Sequence, residues 1–216
     1  VPLKEMENEL QELSKTCLSL WKLRSQTSYQ TYLSHIYRLS FSMRWNQYTR
    51  KTPISVMSHK VIVCYLSYVI GMIGNEHGEE NNIEDMCMRA MYHDVPEVIT
   101  GDIISPTKKA VSWFVELLEK VEETMLDDYL FEYISWEYKN FLEPYILRPF
   151  QGDIGKKVKY ADIFSALIEA KIEASESQYF SMKYNDILKK DVSLFSHPGV
   201  QYLLRELLFE FETTRD

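Results

Sequence analysis

Apolar residues recur along this chain at intervals of three and four, the spacing of a helix face, almost from end to end. Leu3, Met6, Leu10, Leu13, Cys17 and Leu20 step by 3, 4, 3, 4 and 3, which predicts a helix over 3–24 with a single apolar stripe. That stripe needs a partner, either the body of this chain or another chain. A second helix is predicted over 29–46, with Leu33, Ile36, Tyr37, Ser40, Phe41 and Arg44 along one face and Arg44-Trp45 at its tip. Thr52-Pro53 reads as an N-cap with proline at the first helical position, opening a helix to about 73 with His59 two turns in. After the polar run NEHGEENN, Asn82 caps a short helix, IEDMCMRAMYHD, that ends at His93-Asp94.

The next stretch, VPEVITGDIISPTKK, holds two prolines and one glycine in 15 residues and is predicted mostly as turn and loop. Helical spacing returns over 110–129, an aromatic helix follows to 143 before Pro144, and a long helix is predicted over 153–180. In that long helix Val158, Ala161, Ile168 and Ile172 face inward with Asp162 beside them. Pro198 opens a last helix carrying Leu203, Leu204, Leu207, Leu208 and Phe211. No alternating strand pattern of useful length intervenes, so the expected class is all-α.

Composition narrows the picture without changing it. At 216 residues, 45% hydrophobic and 26% charged, with seven glycines and seven prolines, the chain reads as one globular domain over 1–216. Its formal charge of -8 repels a phosphate backbone, so no nucleic acid polymer is expected as partner. The longest nearly apolar run, 61–73, is 13 residues, short of the roughly 20 that cross a bilayer, so no membrane partner is expected. Three widely spaced cysteines, Cys17, Cys64 and Cys87, offer neither a disulfide framework nor a paired metal knuckle, and a reducing cytoplasm is the expected location.

The chemistry concentrates in His59, the pair His93-Asp94 and Asp162, placed on three predicted helices beside apolar stripes. Two imidazoles and two carboxylates on facing helices can surround one divalent ion, and mixed nitrogen and oxygen donors suit Mn, Fe, Co, Ni or Zn. For any one of them taken singly, such as His59, a hydrogen-bonded core residue is the competing explanation. His35, His77 and His197 lack comparable neighbours and are read as structural or solvent-facing. No GxxxxGK[ST] loop or GxSxG elbow occurs in the sequence.

The blocks RLSFSMRW, a single histidine, MYHDVPEVITGD and KYADIFSALIEA occur in this order, and together they resemble the HD-domain metal-dependent phosphohydrolases. Within that superfamily the chain most resembles the YfbR-like 5'-deoxynucleotidases. The likeness covers about 34–174, leaving an N-terminal helix over 1–28 and C-terminal helices over 181–216. It implies an HD-type helical bundle with His59, His93, Asp94 and Asp162 as metal ligands. It also implies that Glu97 orients or deprotonates the attacking water and that Arg44 takes the phosphate. Trp45 would wall the sugar and base, with Asp94, Asp102 and Ser105 as further substrate contacts. Two departures stand out: Ile103, Ile104 and Ser105 match the family loop only loosely, and Ser58 stands where many relatives carry glutamate beside the first histidine.

The function so implied is divalent-metal-dependent release of phosphate from (deoxy)nucleoside 5'-monophosphates, by a protein whose relatives form homodimers. Two alternatives stay open. One is another HD chemistry, a dNTP triphosphohydrolase or a cyclic phosphodiesterase; the other is a non-catalytic helical interaction module that docks through its N-terminal helix.

Overall fold

A computed structural model describes residues 28–103, 111–190 and 196–213. In chain order the helices are α1 (Ser28–Tyr37), α2 (Val56–Glu76), α3 (Ile83–Tyr92), α4 (Glu97–Thr100), α5 (Ser112–Tyr129), α6 (Trp136–Leu147), α7 (Gly152–Glu173), α8 (Gln178–Lys190) and α9 (Pro198–Thr213). Short 3-10 turns lie at Arg38–Ser40 and Phe131–Tyr133. No strand occurs among the described residues beyond an isolated bridge between Met43 and Ser55. The predicted helix over 3–24 and Ser105 lie outside the described residues.

Several helices start at a residue whose side chain can accept a hydrogen bond. Ser55 Oγ accepts from the Ser58 N–H at 3.1 Å and Asn82 Oδ1 from the Asp85 N–H at 3.0 Å, each satisfying an amide that has no partner within its helix. The second cap is where the sequence put it; the first is three residues later than the predicted Thr52. The Arg44 N–H donates to Ile54 O at 3.0 Å and the Thr52 N–H to Glu173 Oε1 at 2.8 Å, and these bonds hold the Thr52-Pro53 segment outside the helix. His59 is therefore one turn into α2 rather than two.

Two apolar clusters organise the packing. The larger joins Val63, Leu66 and Ile70 of α2 to Met86 and Ala90 of α3, Phe164 and Leu167 of α7, and Val200 and Leu203 of α9. The second gathers Tyr32, Val95, Leu126, Leu130, Leu142 and Ile146 from α1, the α3–α4 corner, α5 and α6. Close approach is built in where α9 meets α2: a Cβ on Gly199 would lie 2.8 Å from Ile70 Cα, and backbone cannot yield as a side chain would. At 21 residues, α2 is long and apolar enough to span a bilayer, which corrects the shorter run read from sequence. Half of that apolar window is buried against the other helices, the position of a core helix.

Three other predicted boundaries move. The helix predicted to stop at 143 continues through Pro144 to Leu147, because Leu142 and Ile146 hold one face on the core on either side of the proline. The long helix predicted to 180 ends at Glu173. A serine-containing turn there re-aims the chain so that Phe180, at the start of α8, becomes fully buried. The helix predicted over 29–46 ends at Tyr37.

Far from these changes, Glu79 at the α2–α3 turn accepts from Lys157 of α7 at 2.9 Å and from His197 Nε2 at 3.2 Å, tying α9 to the bundle. Burial works against the Glu79 carboxylate, yet Asn81, Lys157 and His197 bring its pKa down to about 2.

Candidate active site

The site lies where the two apolar clusters meet. His93 is the C-cap of α3 and Asp94 follows it; the Glu97 N–H closes on Asp94 O at 3.2 Å to start α4. Helix-like geometry therefore persists through Pro96, and Glu97 returns to the side of Asp94, buried at the same cavity. His59 comes up from the first turn of α2 and Asp162 from the middle of α7.

Their ligating atoms converge. One donor atom each from His59, His93 and Asp94 all lie within 4.8 Å of one another. His59 Nε2 is 3.6 Å from Asp94 Oδ2 and 3.2 Å from Asp162 Oδ1; His93 Nε2 is 3.1 Å and 4.0 Å from the same two atoms. His59 Nε2, His93 Nε2 and Asp94 Oδ2 are buried and make no hydrogen bond. His93 Nδ1 donates to Ala90 O at 2.8 Å, since a carbonyl can only accept. In the neutral ring the proton is thereby placed on Nδ1, and the Nε2 lone pair faces the carboxylates. Lone pairs aimed at one another in a buried pocket suit a divalent cation, and these four side chains could hold one.

The surrounding charges keep the acids ionised. Burial opposes ionisation of Asp94, but positive charge on His93 and then on His59 outweighs it and holds the carboxyl well below its usual range. Burial is likewise outweighed at Asp162, chiefly by Lys159, whose Nζ is 2.6 Å from Oδ2. At His59, burial and the Arg44 cation disfavour the charged ring, yet Asp162, Glu169 and Asp94 together raise its pKa. Lys60, buried next to His59, moves the other way: burial lowers its pKa to about 8 against the pull of Asp94 and Glu97.

Arg44 and Trp45 reach this site from a turn, not from the tip of the predicted helix. The chain leaves α1 at Tyr37, passes a 3-10 turn and becomes extended at the Met43–Ser55 bridge. Trp45 then adopts φ 56°, the left-handed region, and its N–H donates to Asp102 Oδ2 at 3.1 Å. Arg44 Nη1 is 3.8 Å from Asp94 Oδ2 and its Nε 3.2 Å from Glu169 Oε1. The guanidinium stands among four carboxylates, Glu169, Asp94, Asp162 and Asp102, which outweigh burial and raise its pKa. Asp102 shares the cavity with Arg44 and Trp45, although one of its oxygens is already taken by the tryptophan backbone.

Above these residues opens a cavity of about 880 Å³. Lys159 and Lys183 stand on one wall, and Glu119, Glu122 and Glu123 of α5 on another. None of the three remaining described histidines lines it: His35 stacks on Tyr133, His77 Nδ1 donates to Ile73 O, and His197 bonds Glu79.

Sequence reasoning stopped at Asp162 and missed Glu169. The two are seven residues apart on α7, two turns, and so share a face. That face carries Lys159, Asp162, Glu169 and Glu173 in turn; Glu173 accepts from the Lys51 and Thr52 N–H groups at 2.8 Å each. The acidic neighbour of His59 is thus supplied by α7, while Ser58 lies 3.0 Å from Ser55.

An all-α bundle that sets two histidines and two aspartates around one point defines the HD-domain class of phosphohydrolases. Residues 31–211 match the family described as 5'-deoxynucleotidase YfbR-like, and the chain belongs to that family. A 5'-deoxynucleotidase of Yersinia pestis is 24% identical over 189 residues, 86% of this chain and 94% of its own length. An HD-domain phosphohydrolase of Listeria innocua has a similar structure, with a TM-score of 0.73 and 23% identity over 83% of this chain and 87% of that one. The HD phosphohydrolase DatZ of cyanophage S-2L, solved with dA and one catalytic Zn²⁺, has a TM-score of 0.57 and 18% identity over 85% of this chain and 98% of its own.

Proposed function

We propose that this chain is a divalent-metal-dependent phosphohydrolase that releases phosphate from (deoxy)nucleoside 5'-monophosphates, with His59, His93, Asp94 and Asp162 as the metal ligands. The convergence of the four side chains under Arg44, with three of their ligating atoms buried and unbonded, carries this reading. Membership of a 5'-deoxynucleotidase family supports the substrate class. The mixed donors favour Mn, Fe, Co, Ni or Zn. Such an ion, when bound, lowers the pKa of a coordinated water and polarises a phosphoryl oxygen.

The chain's own residues supply the remaining steps. Arg44, presenting a planar fork at the cavity, binds the phosphate and balances the charge that develops on it. Glu97, buried one turn after Asp94, orients the attacking water and accepts its proton. Trp45 walls the sugar, and Asp102 accepts from a sugar hydroxyl with the carboxylate oxygen that Trp45 does not use. Water attacks in line, so no covalent enzyme intermediate is needed. The three α5 glutamates that line the same cavity disfavour the additional charge of a triphosphate, which argues for monophosphates over the triphosphohydrolase alternative. Retention of all four ligand residues argues against a non-catalytic module.

Phosphate release from the common nucleoside monophosphates, with Mn, Co, Ni, Zn and Mg compared after chelation, tests the proposal. Metal-dependent release is the expected result. Absence of release from every monophosphate with every metal would overturn it.

A further inference from the structure

We propose that Glu169 is a positioning residue that fixes, through one buried carboxylate, both the proton placement of His59 and the pose of the Arg44–Trp45 pair. The inference rests on the metal-site reading above and deepens it. Glu169 is 2% exposed and belongs to neither the converging ligand set nor the cavity lining. Its two oxygens are shared among donors from four parts of the chain.

On one side, Oε1 lies 3.3 Å from His59 Nδ1 and 3.2 Å from Arg44 Nε, and accepts from Ser165 Oγ at 3.5 Å. Ser165 Oγ is itself 3.1 Å from His59 Nδ1, so direct contact and relay act on the same ring nitrogen. On the other side, Oε2 accepts from Trp45 Nε1 at 2.8 Å and from Arg50 Nη1 at 3.1 Å.

A carboxylate that is ionised can only accept. Facing Glu169, His59 Nδ1 must carry a proton, which in the neutral ring leaves Nε2 as a lone pair directed at Asp94 and Asp162. His93 reaches the same state by donating to a backbone carbonyl; His59 has a side chain for this task, and that side chain can be altered. The same atoms orient the mouth. The indole and the guanidinium come from adjacent residues in an unusual backbone conformation, and both are anchored to Glu169. Among the described residues, Glu169 is the contact common to His59, Arg44 and Trp45.

An amide of the same shape fails on chemistry. Glutamine has one accepting oxygen, so its NH₂ must face either the His59–Arg44 side or the Trp45–Arg50 side, donor against donor. Glu169→Gln is therefore expected to weaken Mn²⁺ binding to the metal-free protein by about 10-fold to 100-fold, the usual effect of removing an outer partner of a ligating histidine. Glu169→Asp, which keeps both accepting oxygens on a shorter stem, is expected to fall between the two.

Arg50→Gln provides the structural control. It removes a buried partner of Glu169 but leaves the contact with His59, so it is expected to lower Tm while keeping Mn²⁺ affinity within about 2-fold of wild type. The experiment is direct titration of chelated, refolding-competent protein with Mn²⁺ alone, with Tm recorded for each variant. Wild type that binds while Glu169→Gln and Glu169→Asp bind equally well would overturn the positioning role and leave the metal site standing. Equal loss in Arg50→Gln would also overturn it, by showing that general packing accounts for the effect. Wild type that binds no Mn²⁺ would overturn the underlying metal-site reading together with this inference.

Discussion

Trp45 and Asp102, 57 positions apart in the chain, are joined by a hydrogen bond from the tryptophan backbone N–H to a carboxylate oxygen at 3.1 Å. The bond holds Trp45 at φ 56°, a conformation that costs a residue with a side chain roughly 1–3 kcal/mol and persists only where its surroundings impose it. The direction of the indole at the cavity therefore depends on the loop after α4.

Removing the acceptor is expected to loosen the indole. In Asp102→Ala, the ratio of kcat/KM for dAMP over AMP should fall toward unity, whereas Asp102→Asn, which can still accept from Trp45, should retain most of it. Steady-state assays of both substrates decide this, and an unchanged ratio in Asp102→Ala would rule the bond out as a determinant of sugar selectivity.

Asp162→Ala removes a converging carboxylate while leaving the apolar clusters intact. Bound metal and phosphohydrolase activity should both be lost, with far-UV circular dichroism unchanged. Elemental analysis after dialysis against a divalent metal is the measurement. Full metal content at an undiminished rate would take Asp162 out of the ligand set.

For Arg44→Ala the expected loss is in rate at saturating substrate, on the order of 10²-fold or more, because a cation matched to developing phosphoryl charge acts chiefly on the transition state. Arg44→Lys should recover only part, since a point charge lacks the planar fork. A change confined to KM would instead mark Arg44 as a uniform binding contact.

Substrate class is tested by comparing dAMP, AMP and dATP with one metal. A 2'-hydroxyl forced against Trp45 without a partner costs about 1–3 kcal/mol, so dAMP should exceed AMP by roughly 5-fold to 150-fold in kcat/KM. The α5 glutamates should place dATP lower still. Preference for dATP would move the assignment to a triphosphohydrolase.

The all-α class and the cap at Asn82 were legible because they rest on periodicity and short-range chemistry, whereas the grouping of His59, His93, Asp94 and Asp162 came from the family resemblance, since periodicity places each of them on a helix but does not bring them together. The path of 41–55 was not. Its extended bridge and the left-handed Trp45 are imposed by Ile54, Asp102 and Glu173, contacts that no local pattern encodes. Glu169 was hidden for a different reason: a lone glutamate on a helix reads as a solvated residue, and only the seven-residue offset from Asp162 pointed to a shared face. The turn after Glu173 was missed because Ala-Ser-Glu-Ser does not by itself end a helix as strongly as glycine or proline does.

Acid stability follows from Glu79. Its pKa is brought down to about 2 from an ordinary 4.5, so its contribution is present in full above pH 4.5 and is lost as pH falls toward 2. With the side chain 29% exposed, solvent screening leaves a contribution of about 1 kcal/mol or less. Glu79→Gln should therefore lower Tm at pH 6 and make little difference near pH 2. A Tm deficit that is the same at both pH values would show that the ionic form of Glu79 is not what tethers α9.

The face of α7 that carries Lys159, Asp162, Glu169 and Glu173 behaves as a ruler with fixed divisions. One extra residue between Asp162 and Glu169 would turn everything beyond it by 100° and advance it 1.5 Å, swinging Glu169 away from His59 while Asp162 stayed in place. Surface turns that carry no such contacts can absorb such an insertion at little cost. Changes in chain length compatible with activity should therefore accumulate in the turns and leave the interval 159–173 untouched, so that the spacing within this helix, more than the identity of any one residue in it, is what selection has to preserve.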